Sequence, residues 1–278
     1  TRYIGDWSSD VCSSDLSSDH SLLWLYLFAT QQQGNNCPWL LINKPLLPIG
    51  NPGTFDEHGT MMCEILFHEN KYWLYYLGWQ RSTIVPYITT LGLAISDDGI
   101  NFNKVSEGPV VGLNRFSPFG VAKTSIIVED NTFKMWYTHY NSWVPIDSNY
   151  RPTYDIRYAE SKNGLDWDFQ ESICIFPSHD NEALGAPCVR KINNEYHMWY
   201  GYRENLNKGE KYKMGYAISK DNKTWTRQDN INTIQSSETG WDSEMVCYPY
   251  ILELKDKTIM FYSGNNYGKE GFGYAQIK

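Results

Sequence analysis

Short alternating apolar and polar stretches of strand character recur along the chain, and helical periodicity is scarce. An apolar-aromatic-tyrosine triplet marks the recurrence: Leu74-Tyr75-Tyr76, Met135-Trp136-Tyr137, Met198-Trp199-Tyr200 and Met260-Phe261-Tyr262. Its tyrosines stand 61, 63 and 62 residues apart, a spacing that chance does not keep. After each triplet comes a second strand-like marker, at Gly92-Leu93-Ala94-Ile95-Ser96, Arg157-Tyr158-Ala159-Glu160-Ser161, Gly215-Tyr216-Ala217-Ile218-Ser219 and Gly273-Tyr274-Ala275. Three copies then turn into an aromatic, ending at Phe102, Trp167 and Trp225, and Asp98-Gly99 and Asn163-Gly164 supply the positive φ of a hairpin. An apolar run precedes each triplet, over 62–67, 124–128, 187–192 and 248–254. Each unit therefore reads as four antiparallel strands, the content of a β-propeller blade, and is too long for a β-solenoid repeat.

The expected fold is all-β: a five-bladed β-propeller with four-stranded antiparallel blades, the first blade incomplete. Four units fill residues 50–278, and the last stops after its third strand. Propellers close when a terminal strand completes another blade, so residues 17–49, with Trp39-Leu40-Leu41-Ile42, are read as the remnant of a first blade or as closing strands. The competing arrangement is a complete four-bladed ring. Residues 1–16 are set apart, because Asp6 to Leu16 (DWSSDVCSSDL) resembles the translation of a sequencing adapter. The stretch from Ser17 to Gln33 has neither the charged start nor the cleavage site of a clean signal peptide.

Aromatic residues make up 15% of the chain, more than a disordered polymer leaves exposed, so a sizeable core is expected. A net charge of −8 argues against nucleic-acid and anionic-membrane partners and leaves a neutral or cationic one. No run reaches the 18 or so apolar residues that a membrane helix needs, which predicts a soluble protein. The six cysteines form neither a CxxC nor a zinc spacing. They read as free thiols of a reducing compartment, which points to the cytoplasm, with no metal and no cofactor.

Inner strands of a propeller line its central channel. The triplet register brings Cys63, Ser125, Cys188 and Cys247 together there, as small residues that fit a crowded axis. Six residues earlier lie short polar segments bearing Asp56, Glu57, Glu182, Asp242 and Glu244. Paired carboxylates are the apparatus of glycosidic bond cleavage, one donating a proton and the other acting as base or nucleophile. Asp56, Glu182 and Glu244 are the expected catalytic residues, with Asp242 in support. Trp79, Trp143, Tyr140 and Tyr202 can serve as platforms for sugar rings. Arg203, Arg157, Tyr248, His139 and Asn265 can bond hydroxyls or an anionic substituent.

These residues resemble the five-bladed propeller superfamily of glycoside hydrolases that includes families 43, 32, 62, 68 and 130. The resemblance spans residues 45–278. It rests on Gly53-Thr54-Phe55-Asp56-Glu57-His58-Gly59, the Met-Trp-Tyr triplets, the Ala-x-Ser hairpins and Trp241-Asp242-Ser243-Glu244-Met245. It implies a catalytic Asp on the first inner strand, an orienting Asp and a later-blade Glu as general acid. The first blade that carries this Asp is read as the damaged or absent part, Asp56 matches the Asp of the family's FD-x-x-G segment, and Glu182 resembles the later-blade acid by register. The implied activity is cleavage or transfer of a glycosidic bond in a saccharide. The alternatives are a non-catalytic carbohydrate-binding propeller and a protein-interaction propeller.

Overall fold

The computed structural model describes residues 45–277, apart from 147–148, 206–210 and 255–257, together with the backbone of two short strands. These are β1 (Leu27–Phe28) and β2 (Leu40–Leu41), which pair antiparallel. The reading of residues 1–16, and of most of 17–49, lies outside the described residues. Blade I comprises β3 (Gly59–His68), β4 (Lys71–Arg81), β5 (Tyr87–Ser96) and β6 (Asn103–Lys104). Blade II follows with β7 (Val121–Glu129), β8 (Thr132–Ile146), β9 (Asn149–Ser161) and β10 (Asp168–Ile173). Blade III holds β11 (Ala183–Ile192), β12 (Glu195–Arg203), β13 (Lys213–Ser219) and β14 (Thr226–Arg227). Blade IV has three strands, β15 (Cys247–Glu253), β16 (Thr258–Ser263) and β17 (Phe272–Ile277).

Every pairing is antiparallel between sequence neighbours, and inner strands β3, β7, β11 and β15 meet in succession. This is an all-β propeller with four-stranded antiparallel blades. The described residues form four blades, three of four strands and one of three, rather than the expected five, because most of the segment assigned to the fifth falls outside them. The repeat signal is a signal of packing. Three of the four triplet tyrosines lie across a glycine of the third strand, as in Tyr76 over Gly92 and Tyr200 over Gly215, where a Cβ would sit about 2.5 Å or less from the ring, while Tyr137 faces Arg157. The Ser-x-Asp/Asn hairpins are locked the same way three times: the carboxylate or amide of Asp98, Asn163 and Asp221 accepts two amide N–H groups of its own turn.

One register differs from the sequence reading. Each inner strand carries a one-residue bulge, so the residues facing Tyr75, Trp136, Trp199 and Phe261 are Glu64, Ser125, Cys188 and Tyr250. Cys63 and Cys247 therefore leave the row to which the sequence assigns them. At this level each side chain latches the next blade: Glu64 accepts from Ile126 N, Ser125 Oγ from Val189 N, and Cys188 Sγ from Ile251 N. Cys63, Cys174, Cys188 and Cys247 are buried and free, while Cys12 and Cys37 lie outside the described residues.

At the far ends of the strands, Glu129 joins blade II to blade III by accepting from Lys134, Lys191 and Tyr196. Burial alone would raise its carboxyl, but the three donors outweigh burial and bring it down to about 2. An unfolded glutamate titrates near pH 4.3, so the stability this contact adds is complete above that value and is lost as the pH falls toward 2. Glu129→Gln is expected to flatten the stability profile across that window in denaturant melts at successive pH values. A slope equal to that of the wild type would show that the blade contact does not depend on this charge.

Candidate active site

The loops entering the inner strands and the hairpins joining second to third strands converge at one end of the propeller. All candidate residues stand at this end, because the repeat places Asp56, Glu182, Asp242 and Glu244 just before inner strands. The recurring acid has a local partner. Tyr76 Oη donates to Asp56 and Tyr262 Oη to Asp242, at 3.1 and 3.0 Å, in both cases across 20 residues. Asp56 also accepts from Thr54 and pairs with Lys104 Nζ at 2.5 Å on the outermost strand of its blade.

Glu182 is held by Arg227 in a two-pronged bond of 2.6 and 2.8 Å, and accepts Ser178 N–H at 2.5 Å. Burial would raise its carboxyl, but Arg227 and the Ser178 amide hold it below the usual range. Glu244 is different: its carboxylate is largely exposed and, among the described residues, pairs with Lys211 at 3.5 Å. Asn265 fixes the backbone of that segment by accepting from the amides of Glu244 and Met245, and it donates to Gly240 O and Glu270. His139 spends both ring nitrogens, on Asn141 and on the Phe116 carbonyl, beside the Asp155–Arg157 pair. No hydrogen bond or ion pair among the described residues joins any two of Asp56, Glu182 and Glu244.

An arc of aromatic rings is what the structure does bring together. Trp79 meets Tyr87, which meets Trp143, then Tyr140 and Tyr154, with ring centres 4.6–6.3 Å apart. Tyr154 and Tyr212 touch through their hydroxyls, and Tyr212 packs on Tyr248 and Tyr267 at 5.9 and 6.1 Å. The arc crosses all four blades. Tyr202 stands apart from it and covers Arg227. Burial pushes Tyr154 up to about 12 and Tyr248 well above the usual phenol value, so these remain neutral hydrogen-bonding groups. Inside the arc Arg203 lies between Tyr154 and Tyr212, its guanidinium carbon 5.3 and 4.8 Å from their ring centres.

Tyr87, Tyr154, Tyr212 and Tyr267 are absent from the sequence reading because the hairpins that carry them vary in length, which hides them from the repeat. Lys123 is absent too. It stands at the bulge level with Ala186 and Tyr248, whose positive φ of 53° and 56° is the left-handed backbone that side chains rarely adopt. The carbonyls that follow, of Pro187 and Pro249, lie 3.4 and 3.3 Å from the Lys123 ammonium.

Comparison with known proteins places this arrangement. No family model matches the chain. The uncharacterized protein Rv1502 of Mycobacterium tuberculosis H37Rv is 34% identical over 236 residues, covering 84% of this chain and 77% of that protein. The chain belongs to the Rv1502 family. More distantly, the β-1,2-mannobiose phosphorylase of Thermoanaerobacter sp. X514 is 22% identical over 169 residues, 58% of this chain and 53% of that enzyme. Among solved structures, one described as a glycoside hydrolase superposes with a TM-score of 0.68 at 15% identity, over 88% of this chain and 76% of its own. A family-130 structure described with mannoside phosphorylases gives 0.56 at 20% identity, over 80% and 66%. A thermostable family-43 glycoside hydrolase gives 0.58 at 15%, over 77% and 70%. The Rv1502 family thus shares the propeller fold of the glycoside hydrolases.

Proposed function

We propose that this chain is a carbohydrate-active enzyme that cleaves or transfers a glycosidic bond at the aromatic mouth of a five-bladed propeller, with residues 17–49 contributing to the fifth blade. The observation that carries the reading is the arc from Trp79 to Tyr267, whose flat apolar faces suit sugar rings and whose phenols suit their hydroxyls. The distant likeness to a β-1,2-mannobiose phosphorylase supports the same class of substrate. Within this reading Glu182, held ionised by Arg227, fits the base that activates the acceptor. Glu244, open to solvent on the rim, fits the proton donor to the leaving oxygen, and Asp56 positions the entering loop.

The ion pairs at Asp56 and Glu182 also favour a second reading, a propeller that binds saccharides without cleaving them. Incubating the protein with β-1,2-mannobiose and with a panel of aryl glycosides, each with and without inorganic phosphate, separates the two. The enzyme reading expects release of free sugar or sugar phosphate. Saccharide binding with no product from any member of the panel would replace it with the binding reading.

A further inference from the structure

We propose that Arg203 is the receptor for a negatively charged group carried by the saccharide itself, a carboxylate or a phosphate ester, so that this mouth takes acidic sugars. The inference rests on the reading of the aromatic arc as a saccharide site.

Arg203 is 8% exposed. Its Nε donates to Tyr154 Oη at 2.9 Å, and no carboxylate among the described residues pairs with it. Among the described residues the two terminal nitrogens thus keep four N–H donors without an acceptor, and neither is among the polar atoms sealed from solvent without a partner. Three other part-buried arginines of these blades are treated differently. Arg157 has Asp155, Arg190 has Glu64, and Arg227 has both Glu182 and Asp229. A guanidinium this deeply buried without a counter-ion is costly, and the neighbouring phenols stay neutral, so among the described residues the charge meets only ring faces and one hydroxyl rather than an anion. Lys123, on the inner strand of blade II, is another buried cation whose partners among the described residues are carbonyls.

The two flanking rings fix the plane of the guanidinium, and its open edge presents a planar fork that matches two oxygens of a carboxylate or a phosphate. An anion seated there lies against Tyr154 and Tyr212, the rings on which a sugar would rest. That contact favours a charge attached to the sugar over a free ion.

The test is calorimetric titration of the full chain with glucuronate, mannuronate and mannose 6-phosphate, against glucose, mannose and inorganic phosphate alone. The acidic sugars are expected to bind at least tenfold more tightly than their neutral counterparts, and inorganic phosphate more weakly than mannose 6-phosphate. Arg203→Gln should remove the preference, and Arg203→Lys should keep part of it, a lysine being a point charge without the fork. If Arg203→Gln does not fold in a melting assay, the wild-type comparison and Arg203→Lys carry the test. Equal binding of acidic and neutral sugars would overturn the proposal, as would inorganic phosphate binding as tightly as mannose 6-phosphate, or a folded variant with the full preference. Acidic sugars bound but never cleaved would remove the enzyme reading and leave this one standing. Neutral substrates cleaved without preference would do the reverse.

Discussion

Glu64→Gln is expected to lower the free energy of unfolding by about 3–5 kcal/mol, the usual effect of stripping one partner from a buried ion pair. Glu64 is 2% exposed and gathers groups from the two blades that follow its own: Ser125 Oγ at 2.8 Å, Ile126 N at 3.4 Å, and both terminal nitrogens of Arg190 at 3.3 and 3.4 Å. Glutamine keeps the volume but leaves the Arg190 charge on the channel wall without its counter-charge. Among the described residues Arg190 retains the carbonyls of Ile251 and Val189 and the ring face of Tyr250, none of which neutralises it. For a chain of this size each kcal/mol moves the melting temperature by about 2–4 °C, so the drop should be plain in a thermal melt. Replacing both partners, Glu64→Leu with Arg190→Met, should recover most of the loss, since an apolar pair leaves no orphaned charge. A loss below about 1 kcal/mol in the single variant would mean that water reaches the pair and screens it.

A change of rate is the second large effect. Under the proposed assignment, Glu244→Gln should reduce turnover of glycosides with poor leaving groups by about 10² to 10⁴, the contribution of a general acid. Glycosides with activated leaving groups need little protonation and should suffer much less. Glu182→Gln should slow both kinds of substrate, because a base acts on the acceptor whatever leaves. It also strips Arg227 of its two-pronged partner, so melting curves must accompany the kinetics. Should Glu182→Gln spare activated substrates and Glu244→Gln slow everything alike, the two roles would be exchanged, restoring the acid role that the sequence resemblance gives Glu182.

The blades were legible in the sequence because their packing is periodic. A tyrosine that covers a glycine one strand away, in units one, three and four, and a serine-aspartate or serine-asparagine turn that closes on its own amides, in the first three, repeat the same residue types from unit to unit. The bulges were not legible, since one extra residue in an inner strand leaves the spacing of the second strands untouched. That is why the axial row was read as Cys63, Ser125, Cys188 and Cys247 rather than Glu64, Ser125, Cys188 and Tyr250. At the mouth the acids stood out as a pattern, and much of that pattern is architectural, in that Asp56 and Asp242 each take up the hydroxyl of a triplet tyrosine. Arg203 was named from the sequence. What sets it apart from Arg157, Arg190 and Arg227, the absence of an acid beside it among the described residues, is a property of space alone.

The latches along the channel all run in one rotational sense, from Glu64 to blade II, from Ser125 to blade III and from Cys188 to blade IV. A blade therefore cannot swing outward without first surrendering an amide proton to solvent at its innermost strand. Ile126, Val189 and Ile251 should exchange deuterium only through concerted opening of neighbouring blades, hours behind the outer strands. The order in which their protons vanish would chart the path by which the ring comes apart.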